Sequence, residues 1–408
     1  MKKMKKVLCL LMALCLVFVS LSACGTKETK DKDGTTGTDN TDTSDAQGSE
    51  DTAPKFYIGG IGPITGGAAV YGLNVKNSAE LAVKEINAAG GINGVEIAFK
   101  FEDDEHDAEK SVNAYNSLKD WGMQILMGTV TSTPSKAVKD KTFEDSMFQL
   151  TPSASSTDVI VNGNVFQVCF TDPNQGIASA QYIGQKALAS KVAVIYNSSD
   201  VYSTGIYTKF AEEAKNQNIE IVAAEAFTDD SKSDFSVQLQ KAKDSGAELV
   251  FLPIYYEEAT LILQQAADND YSPIFFGCDG LDGILGVENF DTALAEGVML
   301  LTPFAADASD DKTQKFVADY KAAYNNEVPN QFGADAYDAI YIIKAALEKA
   351  GATPDMSTAQ LCEALKKAMT EIQFDGLTGA GMTWAATGEV NKAPLAVVIK
   401  DGGYVSAE

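Results

Sequence analysis

From Phe56 onward, short apolar runs alternate with longer amphipathic ones, and this alternation leaves the chain few folds to choose from. Residues 56–61, 95–101 and 124–127 read as strands. Between and after them, residues 75–88, 107–121 and 133–145 read as helices, the first with Ala79, Ala82, Val83 and Ile86 on one face. Gly90-Gly91 stops that first helix. A second series begins after Asp172-Pro173: helices 175–189, 204–216, 234–245 and 257–269 precede strands 192–196, 220–226, 249–253 and 274–276. Strands separated by helices pair in parallel and are covered on both faces. The expected class is α/β, with two Rossmann-like lobes built on parallel-sheet cores. Helices 312–325, 332–350 and 358–370 follow, then short strands around Met382, at 395–399 and around Tyr404.

Two loops in this pattern suit ligand binding. Met147, Phe148 and Leu150 form a short apolar strand that runs into Thr151-Pro152-Ser153-Ala154-Ser155-Ser156-Thr157-Asp158. Upstream, 125–128 leads into Thr129-Val130-Thr131-Ser132-Thr133-Pro134. Hydroxyls and free backbone N–H groups at the carboxyl ends of strands converge where open α/β sheets bind ligands. Taken singly, either loop reads equally as a polar turn capping a helix.

The first residues address the chain outside the cytoplasm. Lys2, Lys3, Lys5 and Lys6 precede the apolar run 7–19, which ends in Leu21-Ser22-Ala23-Cys24-Gly25. That is the pattern of a lipoprotein signal, so residues 1–23 are expected to be removed. Cys24 is expected to carry a lipid on the extracytoplasmic face of a bacterial plasma membrane, two acyl chains giving stable anchorage. Residues 24–54 lack large apolar groups and read as a disordered tether.

Composition removes several classes of function. A formal net charge of -25 opposes binding to nucleic acid or anionic lipid. His106 is the only histidine, which excludes multi-histidine metal sites and leaves little scope for histidine-based catalysis. No cofactor and no metal is expected. The chain has no arginine, so a ligand carboxylate must be held by hydroxyls, backbone N–H groups, helix ends or lysine. Cys169, Cys278 and Cys362 remain in the folded part, an odd number that implies no disulfide framework.

Gly60-Ile61-Gly62-Pro63-Ile64-Thr65 departs from a dinucleotide fingerprint, since Thr65 stands at the third glycine and Pro63 lacks an N–H. The acidic run 102–107 lacks Ca²⁺-loop spacing and reads as a solvated loop capping the next helix. Asp279, after the apolar strand 274–276, is placed to face a cleft and hold an ammonium group, or to make an ordinary turn before Gly280. Tyr202 and Tyr255 each follow a second-lobe strand.

On these residues the chain resembles the type I periplasmic binding proteins of the branched-chain amino acid group, the substrate-binding lipoproteins of ABC importers. The carriers are Ile61-Gly62-Pro63-Ile64-Thr65-Gly66, Tyr71-Gly72, Glu85-Ile86-Asn87-Ala88-Ala89-Gly90-Gly91-Ile92-Asn93-Gly94, Asp103-Asp104, Gly128, Thr151-Pro152-Ser153-Ala154-Ser155 and Gly277-Cys278-Asp279-Gly280. The resemblance implies two lobes joined by a hinge, 55–171 with 302–384 and 172–301 with 385–408. It implies a ligand site of Tyr71, Ser132, Ser153, Ala154, Ser155, Tyr202, Tyr255 and Asp279, with Asp279 where many relatives carry Glu. Some relatives have a disulfide whose positions here are His106 and Thr131. A non-enzymatic, monomeric protein that delivers an amino acid to ABC permease subunits is the expectation. A ligand-sensing receptor component, or capture of an amide, urea or an aromatic acid, stands as the alternative.

Overall fold

The structure, a computed structural model, describes residues 53–407. The expected signal, Cys24 and nearly all of the tether lie outside the described residues. The first series gives β1 (Phe56–Gly62), α1 (Ala69–Ala88), β2 (Ile97–Asp103), α2 (Ala108–Trp121), β3 (Ile125–Gly128), α3 (Ser132–Glu144), β4 (Phe148–Thr151) and β5 (Val165–Gln167). These strands form an all-parallel sheet in the order β2-β1-β3-β4-β5. β3 and β4 are buried on both faces, which is why they read as unbroken apolar runs rather than alternating ones.

The second series is α4 (Asp172–Gln185), β6 (Lys191–Asn197), α5 (Val201–Ala214), β7 (Glu220–Phe227), α6 (Ser236–Asp244), β8 (Leu249–Leu252), α7 (Tyr256–Asp268), β9 (Ile274–Gly277) and β10 (Met299–Thr302). Then come α8 (Asp311–Ala323), α9 (Gln331–Ala350), α10 (Thr358–Met369), β11 (Leu395–Lys400) and β12 (Gly403–Ser406). The second sheet runs β12-β11-β10-β9-β8-β6-β7, parallel from β7 to β10 and closed at one edge by the antiparallel β11 and β12. This α/β architecture with two parallel-cored sheets is the one expected.

The late helices return to the first sheet. α9 packs along α1, and α10 lies on β3 and β4. The segment after Trp384 also stays there before crossing to β11: Gln167 N donates to Gly388 O at 3.0 Å, and the Trp384 ring N–H donates to Gln167 O at 2.8 Å. Lys392, almost fully buried, then ties the segment to α9 through Asp335 Oδ1 at 2.6 Å, and donates to Thr378 Oγ1 and Val168 O.

Two local readings differ from expectation. α1 begins at Ala69 rather than 75, wound directly after the glycine turn with no side-chain cap. Its Gly72 is pressed on the Pro63 carbonyl, where an added Cβ would sit 1.8 Å from the oxygen, so only glycine lets the helix start there. The strand expected around Met382 is a single bridge to Phe374, because a turn reverses the chain at once.

Candidate functional site

The carboxyl ends of β1, β3 and β4 face those of β8 and β9 across a seam between the two sheets' layers. A small cavity lies in that seam, lined by Tyr71, Thr131, Ser132, Ser153, Tyr202, Tyr255, Asp279 and Phe332, together with Val130 and Gly280. The structure thus brings together Tyr71, Ser132, Ser153, Tyr202, Tyr255 and Asp279 from the expected set. Its free space is about 10 Å³, room for about one water.

One wall is neutral and electropositive. α3 starts at Ser132 and its N-cap residue Thr131 makes no side-chain cap, so the first-turn N–H groups and the positive end of the helix dipole are directed at the cavity. The Ser132 hydroxyl accepts from Ser156 N at 3.2 Å, which leaves its own proton to donate. Ser153 Oγ donates to Val130 O at 2.7 Å. A helix N-terminus flanked by hydroxyls holds an anion without any cationic side chain.

The opposite wall is acidic. Asp279 follows β9, is 3 % exposed, and accepts from the Tyr202 hydroxyl at 2.7 Å; that hydroxyl accepts in turn from Gly280 N at 2.9 Å. Burial pushes the Asp279 carboxyl up to about 7, against the hydrogen bond from Tyr202. A second carboxylate, Asp172 at the start of α4, was not foreseen. It is 1 % exposed and neither oxygen has a hydrogen-bond partner. Burial raises it well above the usual range, only partly offset by the Ser155 hydroxyl beside it. Two buried acids with so few donors form a site for a cation.

Ala154 and Ser155 stand behind this lining. Ala154 is fully buried and its backbone is already used, the N–H by Thr151 Oγ1 at 2.9 Å and the carbonyl by the Gln167 side chain at 2.7 Å. Ser155 Oγ has no partner and lies against Asp172. Phe332, at the start of α9, was also missed: its ring lies 4.2 Å from that of Tyr71, while Tyr202 and Tyr255 stack at 4.8 Å. These rings make the apolar part of the cavity.

The seam is shut by direct contacts. The Tyr71 hydroxyl donates to Gly280 O and accepts from Tyr256 N at 3.2 Å. Thr133 Oγ1 donates to Asp200 Oδ1 at 3.0 Å, and Val70 N donates to the Tyr256 hydroxyl at 3.1 Å. His106 and Thr131 are neighbours, Nδ1 to Oγ1 at 2.9 Å, and the imidazole meets the edge of Tyr255 at 5.4 Å. The acidic loop caps α2 through Asp107 as expected, while Asp103 holds Ile64 N and Thr65 Oγ1. Cys169, Cys278 and Cys362 are free and buried.

Residues 55–403 match the family model described as periplasmic binding protein. The chain belongs to the periplasmic binding protein family. It is 30% identical over 355 residues to the Leu/Ile/Val-binding protein homolog 3 of Brucella melitensis, covering 85% of this chain and 92% of that one. It is 27% identical over 292 residues to the leucine-, isoleucine-, valine-, threonine- and alanine-binding protein of Pseudomonas aeruginosa, covering 71% and 77%. The substrate-binding protein LivJ of a Streptococcus pneumoniae branched-chain amino acid transporter, solved with isoleucine, superposes with a TM-score of 0.79. That likeness has 28% identity and covers 87% of this chain and 99% of that one. The type I resemblance read from the loops is therefore borne out. Proteins of this family work outside the cytoplasm, and these relatives are binding proteins rather than enzymes. Among the described residues, no helix is long and apolar enough to cross a membrane.

Proposed function

We propose that this periplasmic binding protein captures an α-amino acid with an aliphatic side chain, of the branched-chain type, and hands it to the permease of an ABC importer without chemical change. The observation that carries the reading is the polarity of the cavity: an uncapped helix N-terminus with hydroxyls on one wall, and on the other buried Asp279, held by Tyr202, with buried Asp172, whose oxygens have no partner. A zwitterion satisfies both walls at once. Its carboxylate takes the α3 amides and the hydroxyl of Ser132, with Ser153 joining if its proton turns from Val130 O; its ammonium takes Asp279, with Asp172 and Ser155 behind. Tyr71, Tyr255 and Phe332 enclose the side chain. An aromatic acid, lacking an ammonium, would leave a buried carboxylate unpaired, which costs several kcal/mol.

A free space of about 10 Å³ admits no amino acid, so the contacts of Tyr71 with Gly280 and Tyr256 part for entry and re-form around the ligand. This is closure of two lobes about the chain crossings between the sheets. The relatives' names support delivery to a transporter, and the lipoprotein-signal pattern at Leu21-Ser22-Ala23-Cys24-Gly25 supports anchorage through Cys24 outside the plasma membrane. A thermal-shift screen of residues 53–408, which form one compact unit, tests the reading. Leucine, isoleucine or valine should raise the midpoint in proportion to saturation, and urea and benzoate should not. Stabilisation by benzoate or urea alone overturns it.

A further inference from the structure

His106 is the only histidine of the chain, and it does not itself line the amino acid cavity. It stands in the acidic loop before α2, directly after Glu105, and both residues are in the left-handed region, at φ 60° and 49°. Consecutive non-glycine residues in that region cost strain, which persists only where surrounding bonds fix them. Here they do: Glu105 N donates to Asp103 Oδ1 and His106 N to buried Asp104 Oδ1, each at 2.9 Å. The turn brings the imidazole to the start of α3. Its Nδ1 meets Thr131 Oγ1 at 2.9 Å, and from the second lobe the ring of Tyr255 meets it edge-on at 5.4 Å.

Thr131 is the N-cap residue of α3, is 4% exposed, and lines the cavity. A threonine at an N-cap ordinarily accepts from the backbone N–H two or three residues on. Pro134 has no N–H, so the amide within reach is that of Thr133. Thr131 does not make that bond: its hydroxyl is paired with the imidazole and caps nothing. Its carbonyl is pinned, accepting from Ser135 N at 3.1 Å and from Thr129 Oγ1 at 3.0 Å. The choice between the imidazole and the Thr133 amide therefore rests on rotation of the Thr131 side chain. Burial holds the imidazole below its ordinary value, against the pull of Asp200, so at neutral pH it brings no charge to the cavity. Its influence on a ligand carboxylate runs through Thr131.

We infer that His106 is a positioning residue for the carboxylate half of the amino acid site: by holding the Thr131 hydroxyl it keeps α3 uncapped and the Thr133 amide free for the ligand. The inference rests on the amino acid reading above. Without the imidazole, Thr131 turns to cap Thr133 N, and a carboxylate must displace that cap to bind. The loss expected is the worth of one helix cap, about five-fold in Kd.

Both the amide and the affinity can be measured on residues 53–408. In the unliganded protein, hydrogen exchange of the Thr133 amide, followed by nuclear magnetic resonance, should slow about five-fold in His106→Ala. It should return to the unmodified rate in His106→Asn, which tolerates the left-handed backbone and keeps a hydrogen-bonding atom for Thr131. Calorimetric titration uses whichever of leucine, isoleucine and valine gives the largest thermal shift. Its Kd should rise about five-fold in His106→Ala and recover in His106→Asn. In Thr131→Val, which has no hydroxyl to cap with, adding His106→Ala should change Kd by less than about two-fold. An equal loss in both backgrounds would mean that His106 only supports its loop, and overturns the inference. An unchanged Thr133 exchange rate, an unchanged Kd in His106→Ala, or no recovery in His106→Asn overturns it too. If none of the three amino acids binds the unmodified protein, the amino acid reading fails and the role of His106 falls with it; if one binds, these outcomes bear on His106 alone.

Discussion

Replacing Asp279 should move ligand affinity and protein stability in opposite directions. In Asp279→Ala the ligand ammonium loses its nearest anion, and the Tyr202 hydroxyl loses the acceptor it holds at 2.7 Å. Breaking one side of a buried, hydrogen-bonded charge pair costs about 2–5 kcal/mol, which is about 30- to 5,000-fold in Kd. Stability without ligand goes the other way. Burial pushes the carboxyl from its ordinary value of 3.8 up to about 7. An acid whose pKa is raised on folding stabilises most below its unfolded value, and that contribution is lost as pH rises through the folded one. At pH 8 the ionised carboxylate therefore carries a penalty on the order of 4 kcal/mol at most. Asp279→Asn, which keeps an oxygen for Tyr202, should raise the melting temperature of the unliganded protein at pH 8. The difference should shrink as pH falls from about 7 toward about 4. Calorimetric titration with the cognate amino acid and thermal melts of both variants are the assays. An unchanged Kd in Asp279→Ala, or a lower melting temperature for Asp279→Asn at pH 8, would refute the reasoning.

Asp172→Asn should weaken amino acid binding by about ten-fold or more while leaving the secondary structure intact, measured by the same titration with circular dichroism as control. Because the ammonium favours ionised Asp279, affinity should weaken by up to about ten-fold per pH unit below about 7, and proton release on binding should be seen when buffers of different ionisation enthalpy are compared. Lys392→Ala strands buried Asp335 and should cost about 3–5 kcal/mol of stability in urea unfolding. Cys24→Ala should release the protein from washed membranes without changing its affinity; retention as firm as before would place the anchor elsewhere.

The periodic part of the fold was legible because burial on both faces of β3, β4 and β8 leaves unbroken apolar runs between amphipathic helices. β5 and β10 were not seen. Each follows short single-turn segments and not an amphipathic helix, so the alternation that marks the other strands is missing, and their pairing is set by neighbours distant in sequence. The start of α1 was hidden because nothing caps it. Of the candidate site, Ser132, Ser153, Tyr202, Tyr255 and Asp279 were visible as polar or aromatic residues just after strands. Asp172 was read only as a break before a helix, and Phe332 only as the beginning of one. What makes each a site residue is the chain crossing that brings it to the seam, and no local pattern records that. Ala154 was placed one layer too far forward, since its backbone bonds are taken by Thr151 and Gln167.

The central claim is that one cavity reads both ends of a zwitterion. It is tested most directly by calorimetric titration of residues 53–408 with three ligands: the amino acid giving the largest thermal shift, the keto acid with the same side chain, and the corresponding amine without the carboxylate. The account predicts a Kd near micromolar for the amino acid, on the order of 8 kcal/mol, and at least about 100-fold weaker binding of both analogues. A keto acid that binds as tightly as its amino acid would contradict it.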